Sequence, residues 1–186
     1  MKNSKIVFIG RSFVGKTSLI HRICHGKFLS TYDPGVITSM TMHCSTINHM
    51  EYNLYFWDTP GEERFNSVLK INYRDCKVYV MVFALDEVDS LTELDRFFST
   101  IEEQKRKEEY VIVVGNKLDL AKSEVRELAQ LKWNNMNFIL TSASSGEGIP
   151  ALLDKITQLL DKQEYDIIPK SVNLSSEEPI AQKRCC

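Results

Sequence analysis

The segment Gly10–Thr17, which reads GRSFVGKT, limits what this chain can fold into more than any other part of the sequence. It matches the pattern G-x-x-x-x-G-K-[ST], and it lies between an apolar run at Lys5–Ile9 and a helical pattern at Lys16–His25. A loop in that setting directs backbone N–H groups and a helix N-terminus at an anion. Lys16 then faces the outer phosphates, and the hydroxyl of Thr17 is a ligand that Mg²⁺ accepts. The motif therefore predicts a phosphate-binding loop after a buried strand.

The rest of the chain alternates between apolar strand patterns and helical patterns. Further strands are predicted at Thr38–Ile47, Tyr52–Trp57, Val78–Leu85, Tyr110–Val114 and Phe138–Leu140. Further helices are predicted from a capping box at Ser90 and Glu93 to about Lys107, at about Glu124–Trp133, and from Pro150 onward. This order predicts a three-layer α/β fold, in which a mostly parallel six-stranded sheet carries helices on both faces. Because such sheets bind ligands beyond the carboxyl ends of their strands, the loops after the strands form the candidate site.

Composition excludes several classes of protein. The chain has 186 residues and a net charge of −2, which argues against a nucleic-acid binder that works by bulk electrostatics. Its longest apolar run, Val78–Leu85, is far shorter than the roughly 20 residues that span a bilayer. Cys24, Cys44 and Cys76 form no C-x-x-C pair, so we expect reduced thiols rather than a zinc site. Apolar residues become sparse after Tyr165, which predicts one domain at 1–163 and a flexible tail at 164–186.

The loop at Asp58–Gly61 follows the strand at Tyr52–Trp57 and carries residues that suit a metal-bound phosphate. A carboxylate at Asp58 can hold Mg²⁺ through water, and the N–H of Gly61 can meet a terminal phosphate. Taken alone, Asp-x-x-Gly is also a common turn. Its position after a phosphate loop is what favours the functional interpretation.

Guanine specificity is predicted by Asn116–Asp119, which reads NKLD and follows the strand at Tyr110–Val114. Asp119 can accept hydrogen bonds from N1–H and the 2-amino group of guanine, and adenine lacks that pair of donors. Backbone N–H groups of Thr141–Ala143 can meet the guanine O6. These residues argue against an ATP-dependent kinase or ATPase, which the phosphate loop alone would allow.

Together these loops resemble the Ras-like small GTPases, in the family's order and spacing, over about residues 4–162. The segment Trp57–Phe65, WDTPGEERF, is similar to the Rab pattern WDTAGQERF, and Phe28 stands where the family places an aromatic ring against guanine. The resemblance implies a P-loop (Ras-like) fold with Mg²⁺ ligands at Thr17 and Asp58. It implies catalytic roles for Lys16 and Glu62. It also implies nucleotide contacts from Phe13, Val14, Gly15, Lys16, Thr17, Ser18, Phe28, Gly61, Asn116, Lys117, Asp119, Ser142, Ala143 and Ser144.

By this resemblance the protein is a guanine-nucleotide switch that binds GTP or GDP with Mg²⁺ and hydrolyses GTP. Its GTP form recruits effectors in vesicle traffic, and an exchange factor, a GTPase-activating protein and a prenyl-masking carrier are further partners. A monomer that contacts no nucleic acid is expected. The terminal Cys185 and Cys186 resemble the doubly prenylated ending of many Rabs. Their lipids would hold the protein on the cytoplasmic face of intracellular membranes, from which it cycles to the cytosol.

Several residues depart from the family pattern. Gly35 stands where the first switch has a Thr that binds Mg²⁺, and Thr38 replaces it only with a shift in register. Glu62 stands where a Gln orients the attacking water, so slow hydrolysis is expected, with a hydrolysis-deficient GTP-binding adaptor as the alternative. Phe13 is bulky for a phosphate loop, and Arg11 is either a surface charge or a nucleotide contact.

Overall fold

The computed structural model describes residues 2–28, 39–47, 50–61 and 75–167. Its strands are β1 (Lys2–Ile9), β2 (Ser39–Ile47), β3 (Met50–Asp58), β4 (Val78–Ala84), β5 (Tyr110–Asn116) and β6 (Asn137–Leu140). Its helices are α1 (Lys16–His25), α2 (Val88–Gln104), α3 (Ser123–Trp133) and α4 (Ile149–Ile167), with a 3₁₀ turn at Leu118–Leu120. Each predicted strand and helix is present, with bounds that shift by a few residues.

The described strands form a six-stranded sheet in the order β2-β3-β1-β4-β5-β6. Neighbouring strands are parallel except for β2 and β3, which run antiparallel. In this register Ile6 of β1 lies opposite Phe56 of β3 and Val78 of β4. Parallel neighbours need crossover connections, which here bring the carboxyl ends of β1, β3, β4, β5 and β6 to one edge. The predicted α/β fold with a mostly parallel six-stranded sheet is confirmed.

Alternate side chains of the central strands supply two hydrophobic layers, because successive residues of a strand point to opposite faces. Ile6, Phe8 and Val80 belong to the layer that also contains buried residues of α1 and α4. Val7 and Met81 belong to the other layer, which contains buried residues of α2 and α3. The sheet is therefore covered on both faces, and its carboxyl edge is left for the loops that carry polar residues.

The start of α2 differs from the sequence prediction. The helix begins at Val88 with Glu87 as its capping residue, so Ser90 lies in the first turn and the predicted capping box is wrong. The hydroxyl of Ser90 accepts the N–H of Ala84 at 2.9 Å and donates to the carbonyl of Glu87 at 2.7 Å. Because β4 ends only a few residues earlier, this hydroxyl binds the strand end instead of the helix N–H groups. The helix also ends at Gln104, before the predicted Lys107.

The last helix reaches Ile167, past residue 164 where the tail is predicted to begin. Residues 168–186, and with them Cys185 and Cys186, lie outside the described part of the chain. Within the described residues, no helix combines the length and the apolar character that crossing a membrane requires.

Candidate functional site

The phosphate loop joins β1 to α1 and needs glycine at both ends. Gly10 has φ of 148°, and a Cβ there would lie 2.1 Å from the carbonyl oxygen of Val82. Gly15 has φ of 96°, and a Cβ there would lie 2.3 Å from Nδ2 of Asn116. Gly15 is the N-cap residue of α1, and among the described residues no side chain caps the first turn of this helix. The first N–H groups of the helix are therefore placed to meet an anion.

Lys16 is the buried cation of this loop, with 6% of its surface exposed. Its Nζ donates to the carbonyl oxygens of Gly10 and Arg11, each at 2.9 Å. Burial lowers the pKa of Lys16 to about 8, and the nearby Asp58 carboxylate opposes that shift. The ammonium therefore lies across the loop. Because burial deprives it of solvent, an anion bound beside it would stabilise its charged form.

Thr17 and Asp58 form the pair that suits a metal ion. Thr17, in the first turn of α1, donates its hydroxyl hydrogen to Oδ2 of Asp58, the last residue of β3. The other oxygen, Oδ1, is buried and has no hydrogen-bond partner among the described residues. Burial raises the pKa of Asp58, and the Thr17 hydrogen bond and Lys16 lower it. A buried carboxylate oxygen beside a hydroxyl is a donor set that fits Mg²⁺.

Gly61 packs its backbone against the phosphate loop. A Cβ at Gly61 would lie 2.1 Å from the N atom of Ser12, so only glycine allows this approach. The neighbouring Thr59 donates its hydroxyl to the carbonyl oxygen of Phe8 at 2.8 Å, which ties the start of this segment to β1. Glu62, Gly35 and Thr38 lie outside the described residues, so their predicted roles stay predictions.

Asn116 links the loops of the site to one another. It is the last residue of β5, 1% exposed, and not a loop residue as the sequence suggested. Its Nδ2 donates to the carbonyl oxygen of Val14 at 2.8 Å. Its Oδ1 accepts the hydroxyl of Thr141 at 3.3 Å and the N–H of Ala143 at 3.2 Å. Asn116 therefore holds the phosphate loop and the loop after β6 in a fixed relation.

Asp119 lies in the 3₁₀ turn after β5, and its orientation is set by a serine. Ser142 donates its hydroxyl to Oδ1 of Asp119 at 2.5 Å, and that hydroxyl accepts the N–H of Ser145 at 3.0 Å. Ser142 is fully buried, so it supports Asp119 from behind the cavity wall. Next to this turn, Lys117 adopts φ of 61°, and its Nζ donates to Asp86 at 3.2 Å.

The N–H groups predicted to meet the guanine O6 have partners within the protein. Thr141 donates to the carbonyl of Gly115 at 2.8 Å, and Ser142 donates to that of Glu147 at 2.9 Å. The N–H of Ala143 is taken up by Asn116, as described above. A contact between these N–H groups and O6 therefore stays a prediction.

These loops enclose a cavity of about 360 Å³. Its walls are Phe13, Gly15, Lys16, Thr17, Ser18, Phe28, Asn116, Lys117, Asp119, Leu120, Ala143 and Ser144. Most predicted nucleotide contacts are thus brought together, whereas the buried Val14 and Ser142 lie behind the wall and Gly61 is not one of the wall residues. Leu120 is a further wall residue that was not predicted, and its position next to Asp119 is the sequence signal that could have indicated it. Arg11 pairs with Glu87 at 2.8 Å and with Glu93 at 3.5 Å, which favours the surface-charge interpretation.

A phosphate loop, a hydroxyl–carboxylate pair and an aspartate in the cavity wall, all at the carboxyl edge of one mostly parallel sheet, are the arrangement of a P-loop nucleotide-binding protein. Comparison with known proteins gives the family. Residues 5–162 match the model of the Ras family. The Ras-related protein Rab-5B of Plasmodium falciparum (isolate 3D7) is 32% identical over 155 residues, which cover 82% of this chain and 75% of that protein. The chain belongs to the Ras family, and it is a divergent Rab-like or Ras-like small GTPase by sequence.

Proposed function

We propose that this protein is a guanine-nucleotide switch that binds GTP or GDP together with Mg²⁺. The observation that carries the proposal is that Lys16, Thr17 and Asp119 all line one cavity. A nucleotide that spans this cavity meets a cation at one end and a base-selecting carboxylate at the other. Membership of the Ras family, whose members are GTPases, supports the same reaction here.

One end of the cavity binds the phosphates of the nucleotide, and the other binds its base. Lys16 binds the outer phosphates, and Thr17 with Asp58 would hold Mg²⁺, which supplies positive charge to those phosphates. Asp119, oriented by Ser142, accepts hydrogen bonds from guanine, and adenine offers it no matching pair of donors. Adenine nucleotides are therefore expected to bind weakly.

Hydrolysis is the finer part of the proposal. We assign Lys16 and Glu62 to the reaction, with slow turnover because a carboxylate at Glu62 accepts hydrogen bonds but donates none. The competing function is a GTP-binding adaptor without turnover, which the same substitution favours. Replacement of Glu62 by Gln is expected to speed single-turnover GTP cleavage if the residue lies beside the attacking water, and an unchanged rate would reject that assignment.

The proposed cellular role is the regulation of vesicle traffic. In this role the GTP form recruits effectors to membranes, and an exchange factor, an activating protein and a prenyl-masking carrier control the cycle. The likeness to a Ras-related Rab protein supports this role. Lipids on Cys185 and Cys186 would provide the membrane contact.

One set of measurements tests the proposal. The full chain is titrated with GDP, GTP and ATP, each with and without Mg²⁺, and phosphate release is then followed over several turnovers. We expect GDP and GTP to bind, Mg²⁺ to slow their release, and ATP to compete poorly. Preferential binding of ATP would overturn the proposal in favour of a kinase or ATPase. Absence of phosphate release with intact GTP binding would select the adaptor.

A further inference from the structure

Arg22 lies on α1, away from the cavity wall, but it binds the loop that carries the guanine-side residues. Its Nε donates to the carbonyl oxygen of Ala143 at 2.8 Å, and its Nη2 donates to that of Ser144. Its Nη1 donates to the carbonyl oxygen of Gly26 at 2.9 Å. One guanidinium therefore joins the C-terminal end of α1 to two consecutive peptide units of the loop after β6.

The first of these peptide units directs an N–H away from Arg22. In a trans peptide the C=O and the following N–H point in opposite directions. A carbonyl of Ala143 that faces Arg22 thus turns the N–H of Ser144 away from Arg22. Ser144 is a wall residue of the nucleotide cavity.

The second peptide unit continues to Asp119. With the carbonyl of Ser144 on Arg22, the N–H of Ser145 points the other way and donates to Oγ of Ser142 at 3.0 Å. That hydroxyl has its own hydrogen directed at Oδ1 of Asp119 at 2.5 Å. The orientation of the carboxylate therefore depends on the guanidinium of Arg22 through three hydrogen bonds and one peptide plane.

We propose that Arg22 is a positioning residue for base selection, which holds Asp119 in the geometry that prefers guanine. This inference rests on the proposed function, since it assumes that the cavity binds a guanine nucleotide. The planar fork of arginine suits the role, because its separate N–H groups can bind several carbonyl oxygens in fixed directions.

The test compares GDP with inosine diphosphate, which lacks the 2-amino group and so cannot use the second hydrogen bond to Asp119. In the Arg22→Gln protein we expect the affinity for GDP to fall about tenfold and that for inosine diphosphate by at most about threefold. The exposed Arg126 of α3 provides the control, because Arg126→Gln should leave both affinities unchanged. Thermal unfolding of each variant checks that it folds.

The Arg22→Lys protein keeps the positive charge and provides a second test if Arg22→Gln does not fold. A single ammonium lacks the fork, so we expect a preference for GDP that lies between those of the wild type and Arg22→Gln. An equal loss of affinity for both nucleotides would show a merely structural role and overturn the proposal, as would a wild-type preference in either folded variant. If the wild-type chain does not bind GDP, the proposed function itself is wrong, and this inference falls with it.

Discussion

Lys16 shows how burial sets the chemistry of a single residue in this protein. Loss of solvent lowers its pKa from 10.5 to about 8, so the folded protein holds this proton less tightly than the unfolded chain does. Lys16 therefore lowers the free energy of unfolding of the ligand-free protein by its full amount below pH 8. This free energy increases as the pH rises from 8 toward 10.5. Nucleotide binding has the opposite dependence, because phosphates favour the protonated amine.

We therefore expect the affinity for GDP to weaken about fourfold between pH 7 and 8.5, as the free protein loses the charge on Lys16. Calorimetric titration at a series of pH values measures this change. The Lys16→Met protein, although a weaker binder, supplies the baseline and should show no such dependence. A flat profile for the wild type would contradict the charge state assigned to Lys16.

At Phe13 we expect the backbone to affect the stability of the protein and the side chain to affect nucleotide binding. It adopts φ of 66°, where a residue with a Cβ is strained, and 67% of its surface is exposed at the cavity wall. We expect Phe13→Gly to raise the free energy of unfolding by about 0.5–1 kcal/mol, because strain is relieved. Phe13→Ala should not be stabilised in this way, since alanine keeps the Cβ.

Both Phe13 variants should release a bound fluorescent GDP faster than the wild type, because each lacks the ring that forms part of the wall. Chemical denaturation and stopped-flow dissociation measure the two effects separately. If Phe13→Ala releases GDP at the wild-type rate, the ring is not a nucleotide contact.

At the scale of elements, helix α1 has a glycine in the left-handed region at each end. Gly15 has φ of 96°, and a Cβ there would collide with Asn116. Gly26 has φ of 67°, and a Cβ there would have no atom of the described residues within 4 Å. The two positions thus share a backbone strain and differ in steric contact. This pair separates the conformational need for glycine from the need for space beside Asn116.

We expect Gly26→Ala to lower the free energy of unfolding by about 1 kcal/mol, which is the cost of strain alone. Gly15→Ala should cost about 2–3 kcal/mol or more and should also abolish GDP binding, because the Cβ displaces Asn116 and the loops it links. Urea denaturation and nucleotide titration of both variants test this. Equal losses of stability would show that contact with Asn116 contributes nothing.

The elements could be predicted from sequence because their signals are local. Strand runs such as Val78–Leu85 and the stripe of the last helix depend on neighbours a few residues apart. The role of Ser90 could not be predicted, because its partner is the end of β4 and the distance between strand end and helix start is a tertiary property. The local pattern predicted Ser90 as a helix cap, whereas in the folded protein its hydroxyl binds Ala84 at the end of β4.

For the candidate site, too, the motif residues could be predicted from the sequence and the supporting contacts could not. Motifs predicted that Lys16, Asp58 and Asp119 lie at one edge of the sheet, and the structure places them there, at the start of α1, the end of β3 and the turn after β5. The supporting contacts were not predictable, because those between Arg22 and the loop after β6 join residues more than 120 positions apart and no motif marks them. Asn116 was expected to meet the nucleotide, and it lines the cavity; its bonds to the phosphate loop and to the loop after β6 were not expected.

For the whole molecule, the family match ends at residue 162, and the sequence continues to Cys186. From Lys162 onward the chain carries four basic and four acidic residues, so this segment supplies no net positive charge toward anionic lipids. Membrane attachment of the kind proposed then depends on the two terminal cysteines. One lipid chain gives marginal, reversible binding and two give stable anchoring.

The number of cysteines is therefore the variable to test. In cells, the double variant with Ser at positions 185 and 186 should move from membranes to the soluble fraction. Each single variant should be divided between the two fractions, because one chain anchors marginally. The purified double variant should bind GDP with wild-type affinity, since the residues that line the cavity lie between Phe13 and Ser144. Retention of the double variant on membranes would contradict lipid anchoring at this pair and would point to attachment through protein contacts instead.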